Sequence, residues 1–186
     1  MDERRFNIFA LCFSALVILA IAVKGEPQQE RYEPFLRALA QKESGGDPYA
    51  FGDLRVREIL GIPIPLPQAI GQYQLWPAYV DDVNIILGRS EFTYADRWDP
   101  GKSALMVVIY LDYYATPKRL GHKPTWFDRA RIHNGGPCGF KKSSTVGYGK
   151  DVMQIMRELR GQEWQRLSSA TGISIGGCVG PFSAVE

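Results

Sequence analysis

The chain has 186 residues, 45% of them hydrophobic, with 22 basic and 20 acidic side chains and a formal charge of +2. That balance argues against a nucleic-acid binder, since no run of basic residues interleaved with aromatics is present. Two histidines and three cysteines without clustering likewise argue against a zinc site, and no metal or organic cofactor is expected.

The first 24 residues stand apart. Arg4 and Arg5 precede an uncharged run from Phe6 to Val23, which Lys24 ends. Its length falls between a signal-peptide core of about 7–15 residues and a membrane span of about 17–25. Both readings stay open: a signal peptide cleaved after Ala20-Ile21-Ala22, or a single N-terminal anchor. In either case the remainder is expected to be exported, periplasmic or extracellular, and its residues are enough for one domain with a sizeable core.

Residues 25–31 read as a solvated linker. A domain follows over 32–167, and a Gly/Ser-rich tail over 168–186. The first helix is expected from Pro34 to about Ser44, with Phe35, Leu36 and Leu39 on its apolar stripe. A step of four from Leu39 lands on Glu43, so a carboxylate prolongs the stripe where a leucine is expected, and Gly45-Gly46 then releases the chain. A carboxylic acid at a core edge is partly desolvated, which favours its protonated form and suits a general acid. The alternative at this stage is a glutamate that curls out to water.

Three prolines in five residues (Pro63, Pro65, Pro67) forbid a central strand or helix over residues 54–67, leaving a loop or an edge hairpin. In the segment AIGQYQLWP, Gly71 suggests a close backbone approach, and Pro77 opens a helix bearing Tyr79, Val80, Val83, Ile86 and Leu87. Asp99-Pro100-Gly101 makes a turn. Lys102 to Ala115, with Leu105, Val108, Ile109 and Leu111, reads as a central buried helix. A short helix from Trp126 to Ile132 is broken by Asn134-Gly135-Gly136-Pro137. A last amphipathic helix runs from about Thr145 to Leu159, carrying Val152, Ile155, Met156 and Leu159. The fold class is mostly α, of the α+β kind, with a small irregular or β segment.

Three segments carry a resemblance. Glu43-Ser44, then Gly71-Gln72-Tyr73-Gln74, then Asn134-Gly135-Gly136-Pro137 with Tyr148 beyond, resemble the lysozyme-like superfamily. GQYQLWP is similar to the glycine–glutamine motif of SLT-type lytic transglycosylase domains. ARIHNGGPCGFKKSSTVGY, with PAYVDDV, is similar to invertebrate-type lysozymes. The resemblance spans about Phe35 to Leu159.

It implies a helical lysozyme-like fold with a cleft for peptidoglycan glycan strands, in a protein expected to be a monomer. Glu43 is implied as the general acid. Ser44, Gly71, Tyr73, Gln74, His133, Asn134, Gly135 and Tyr148 are implied around the substrate. Each keeps a plainer alternative: Gln74 as a turn residue, Tyr148 as core, His133 tying down its own turn, and Asn134 taking a left-handed conformation before the glycines.

Asp53 bears on the mechanism, because invertebrate-type lysozymes carry an aspartate at a similar distance after the glutamate. Two flanking carboxyls about 5–5.5 Å apart imply a retaining hydrolase, and about 6.5–9.5 Å an inverting one. SLT-type enzymes work with the glutamate alone and form 1,6-anhydro products. The chain lacks the dense cysteines of invertebrate-type lysozymes and inserts LRVREILGIPIPLP, so Asp53 is either catalytic or a turn-stabilising acid. Hydrolysis is favoured over the anhydro route, and a non-catalytic binder of amino-sugar polymers is the rival from another class. Cys12 lies in the apolar run. Cys138 and Cys178 either pair, closing a loop of about 40 residues worth about 4 kcal/mol on the chain-entropy model, or remain separate thiols.

Overall fold

The computed structural model describes residues 28–52, 54–59 and 62–171. The apolar run Phe6–Val23, Asp53 and Cys178 therefore lie outside the described residues. The chain divides into two compact units, 1–32 and 33–186, and the core and site belong to the second. The fold is mostly helical, with one two-stranded sheet among the described residues.

Helix α1 runs Gln28–Ser44, so it starts before the expected Pro34 and takes in part of the expected linker. Gln28, Gln29, Glu30 and Arg31 are good helix formers, and their propensity carries the helix through the proline. Phe35 and Leu39 are fully buried and Leu36 nearly so, as the stripe requires. Gly45 and Gly46 both take positive φ, and the Gly46 N–H reaches back to the Ala40 carbonyl at 3.0 Å. This six-residue return is the Schellman closure, which needs a residue without a Cβ in the left-handed region.

Strands β1 (Leu54–Ile59) and β2 (Ile62–Pro67) form an antiparallel hairpin in which Leu54 pairs with Pro67 and Ile59 with Ile62. The prolines occupy alternate positions of β2, so their missing N–H groups all fall on one side of the strand. A two-stranded edge tolerates that arrangement. The chain then makes a tight return: Ile70 bridges both Phe51 and Leu75.

Helix α2 (Pro77–Leu87) opens on its proline, closes on Gly88, and buries Val80 and Val83 completely. A 3-10 turn, Tyr94–Trp98, leads to α3 (Pro100–Tyr114), capped by Asp99, whose side chain accepts from the Lys102 N–H at 2.9 Å. This is the central helix. It buries Met106, Val107 and Leu111 completely, each contributing on the order of 1.5–3 kcal/mol of transfer free energy. Leu105, expected in the core, is 44% exposed, because the buried face runs through 103–104, 106–108 and 110–111 instead.

The short α4 (Pro117–Leu120) precedes α5 (Trp126–Gly135), whose start is fixed by a reciprocal capping box between Thr125 and Asp128. Helix α5 continues past Ile132, so Asn134 is helical, and Gly136 takes the positive φ (76°) that was expected of Asn134. Two 3-10 turns, Gly139–Lys141 and Ser143–Thr145, lead into α6 (Val146–Thr171), which overruns the expected end at Leu159 and enters the expected tail. Helix α5 packs on α6 and α3, and α2 on α3. Among the described residues no helix is long and apolar enough to cross a membrane.

Candidate active site

Glu43, one residue from the end of α1, faces a cleft of about 300 Å³ lined also by Gly52, Ala69, Gln74, Leu75, Trp76, Tyr79, His133 and Asn134. Its side chain keeps 17% of its surface exposed, against 4% for His133. The α1 stripe thus delivers a carboxylate to the boundary between core and cleft, and the alternative of a glutamate free in solvent does not hold.

Two side chains converge on the same carboxylate oxygen, Oε1. The Tyr148 hydroxyl, from the first turn of α6, donates a short hydrogen bond to it. His133 Nε2, near the end of α5, lies 3.6 Å away, beyond ordinary hydrogen-bond length. Burial pushes the Tyr148 phenol far above the usual tyrosine range, and the charge of Glu43 and the hydrogen bond to it add to the shift. Tyr148 is therefore a permanent donor.

Burial lowers the His133 pKa from its ordinary 6.5, with Glu43 and the Tyr73 carbonyl pulling the other way. A neutral imidazole follows at neutral pH, so His133 shapes the site without cancelling its charge. On the solvent side, Lys42 Nζ pairs with Asp151 at 2.7 Å and stands 6.0 Å from the Tyr148 ring centroid.

The opposite wall is built on the return between Ile70 and Leu75. Gly71 has φ 76°, and a Cβ there would sit 2.1 Å from the Arg97 carbonyl oxygen, so the expected close backbone approach is present and only glycine fits it. Gln74 is itself in the left-handed region (φ 48°). Its Nε2 donates to the carbonyls of Gly71 (2.8 Å) and Ala50 (3.3 Å), and a Cβ on Gly52 would meet its Oε1 at 2.0 Å. Gln74 is thus both a turn residue and a cleft residue. It fastens the segment that leads into position 53.

Arg97, which the sequence did not single out, locks this wall from behind. It is buried, and its guanidinium donates to the carbonyls of Tyr94 (2.8 Å), Gln68 (2.9 Å) and Leu75 (2.9 Å).

Tyr73 requires a correction. It was expected in the cleft but is 4% exposed, and burial, with a smaller effect of Glu33, pushes its phenol up to about 12. The turn between Gly71 and Gln74 sends Tyr73 into the core and Gln74 outward. Ser44 is bonded within the protein: its Oγ donates to the carbonyls of Ala40 (3.2 Å) and Gln72 (2.9 Å), tying the end of α1 to the glutamine turn. Gly135 is packed so that a Cβ would meet Thr145 Cγ2 at 2.6 Å, and its carbonyl accepts from Lys142 Nζ at 2.6 Å.

The sequence passed over Trp76 and Tyr79 as site residues. Both lie where apolar side chains read as core, although Tyr79 stacks on Tyr110 at 4.0 Å with one face left to the cleft wall. Cys138 is exposed, and its expected partner Cys178 lies outside the described residues. No group of three or more metal-ligating side chains occurs among the described residues.

No protein-family model matches the chain, and no curated protein matches it. Solved structures do. Over 66% of its length the chain is similar to inhibitor-bound lysozyme from Meretrix lusoria, at 26% identity and TM-score 0.48, covering 88% of that chain. The same values hold for a complex of Aeromonas hydrophila PliI with Meretrix lusoria lysozyme. Tapes japonica lysozyme matches at 24% identity and TM-score 0.48, with the same coverage. No SLT-type domain is among these three.

Proposed function

We propose that the protein is an exported muramidase that cleaves the β-1,4 bond between N-acetylmuramic acid and N-acetylglucosamine in peptidoglycan, with Glu43 as general acid. The observation that carries this reading is the setting of Glu43. It is a carboxyl group at the core edge, oriented through one oxygen by a buried tyrosine that stays protonated, facing a cleft whose far wall carries the Gln74 amide, held by its donations to the Gly71 and Ala50 carbonyls. A binding protein needs neither the acid nor a buried donor dedicated to it.

In the reaction Glu43 passes a proton to the glycosidic oxygen as the C1–O bond breaks. The neutral His133 adds no positive charge to oppose the cation that develops on the sugar. Water then adds at C1 and gives its second proton to a carboxylate, which returns Glu43 to its acid form, with Asp53 as the residue that supports the cation or directs the water. The second reading is a lytic transglycosylase, in which Glu43 acts without a second carboxylate and the sugar's own hydroxyl closes a 1,6-anhydro ring.

Mass analysis of products from purified peptidoglycan separates the two. Reducing ends that include one added water support hydrolysis and make Asp53→Asn the next variant to test. Anhydro ends establish the transglycosylase instead.

A further inference from the structure

Basic residues gather in one part of the chain. Residues 116–150 hold eight lysines and arginines against one acid, Asp128, a formal +7 in a chain whose total is +2. The remainder therefore stands at −5. Asp128 is already committed to the Thr125 cap and to His122, and Arg129 lies 3.6 Å from Asp112. Lys118, Arg119, Lys141 and Lys142 are exposed, and among the described residues none of them forms an ion pair.

Two of these cations are held in place at the turn that ends α5. Lys142 Nζ donates to the Gly135 carbonyl at 2.6 Å, and Arg119 Nη2 donates to the Pro137 carbonyl at 2.9 Å. The Arg119 guanidinium also stands 5.1 Å from the centre of the Tyr114 ring. A cation at the negative end of a helix is favourable, which accounts for Lys142 alone. Each of the two bonds uses one N–H of a group that carries three or five, and like charges gathered without counter-ions weaken the fold. The surplus charge is available to an anion from outside the chain.

These side chains do not line the cleft, but the turn starts where the cleft ends: Asn134 is a lining residue and Gly135 follows it. A second path leads to the same place. Tyr79 in the cleft wall stacks on Tyr110 at 4.0 Å, Tyr110 meets Tyr114 at 4.7 Å, and Tyr114 carries Arg119 on its face. An extended peptide of four residues spans about 13–14 Å, enough to run from the cleft to this turn.

We propose that Arg119 and Lys142 bind carboxylates of the peptide that hangs from muramic acid, outside the cleft that holds the sugars. The inference rests on the muramidase reading and deepens it: the substrate is the peptide-bearing strand rather than a naked or neutral amino-sugar polymer. A guanidinium fixed by a carbonyl and a ring offers its remaining N–H groups to a carboxylate with little loss of side-chain freedom, and Lys142 supplies a second charge across the turn.

The test is calorimetric titration of the full-length Glu43→Gln protein at low salt with three probes. These are soluble glycan strands bearing their peptides, the same strands after an amidase has removed the peptides, and a chitin hexasaccharide. The stripped strands keep the lactyl carboxylate, so they control for charge close to the sugar. Adding Arg119→Gln and Lys142→Gln together keeps an N–H donor at each carbonyl and removes both charges. The pair is expected to weaken binding of peptide-bearing strands about tenfold, which is about 1.4 kcal/mol, and to leave the other two probes unchanged. Arg119→Lys with Lys142→Arg is expected to retain most of the affinity.

Unchanged affinity for peptide-bearing strands in the double variant overturns the proposal, leaves the muramidase reading intact and assigns the cations to another acidic partner. Equal loss on stripped and peptide-bearing strands also overturns it, since that marks a disturbed cleft or a diffuse effect of charge. No binding of any probe by the Glu43→Gln parent defeats the muramidase reading, and this proposal with it.

Discussion

Gly52→Ala probes the cleft wall at its tightest point. The added Cβ would stand 2.0 Å from Gln74 Oε1, 2.8 Å from Ala69 Cβ and 3.1 Å from the Ala69 carbonyl oxygen. The backbone carbonyl cannot yield without losing its bond from the Gly52 N–H, so the glutamine amide moves and gives up its donations to Ala50 and Gly71. Overpacking of this kind costs about 1–3 kcal/mol. Two lost neutral hydrogen bonds at about 1 kcal/mol each account for most of it.

Moving a cleft amide by about 1 Å is also expected to lower kcat/KM on the order of 100-fold. The assay is a double-mutant cycle with Gln74→Ala, read by urea unfolding and by turnover of soluble peptidoglycan. Because Gln74→Ala removes the atom that the new Cβ meets, the pair is expected to be non-additive, with about 1–2 kcal/mol of coupling. Strict additivity in both readouts would falsify the placement of the Gln74 amide against Gly52.

Other outcomes follow from the same geometry. Tyr148→Phe removes the donor to Glu43, a hydrogen bond that strengthens to about 1.5–3 kcal/mol as Glu43 gives up its proton and becomes charged, and is expected to cut kcat/KM by roughly 10- to 100-fold. A wild-type rate in the phenylalanine variant argues that Tyr148 is packing alone. Leu111→Ala, at a fully buried position of α3, is expected to destabilise by about 2–5 kcal/mol in thermal unfolding. A cost below about 1 kcal/mol contradicts the central role of that helix. Burial lowers the His133 pKa in the folded state, so the unfolded chain binds the extra proton more readily. Stability is therefore expected to fall as pH drops below the ordinary histidine value of 6.5, and His133→Gln is expected to flatten that slope. An unaltered slope in the variant assigns the dependence to other groups.

Much of the site was legible because it rests on local rules. Glu43 sits where the helical period of Phe35 and Leu39 places it, and Gly71 is glycine because the Arg97 carbonyl occupies the space of its side chain. What escaped the sequence depends on tertiary context. Tyr73 and Gln74 are adjacent polar-capable residues, and only the turn decides which faces the core. Asn134 has the chemistry for a left-handed turn, yet α5 holds it helical and passes that role to Gly136. Arg97 gave no signal because its partners are backbone carbonyls from three separate segments. Leu105 was assigned to the core by composition, while the buried face of α3 is set by the helices packed against it.

The central claim is that Glu43 donates the proton in this cleft. The most direct measurement compares wild-type and Glu43→Gln protein on purified peptidoglycan, following soluble fragment release and binding to the intact polymer in parallel. The expected result is release by the wild type, and retained binding with no release by the variant. Fragment release by Glu43→Gln at a rate near the wild type would contradict it.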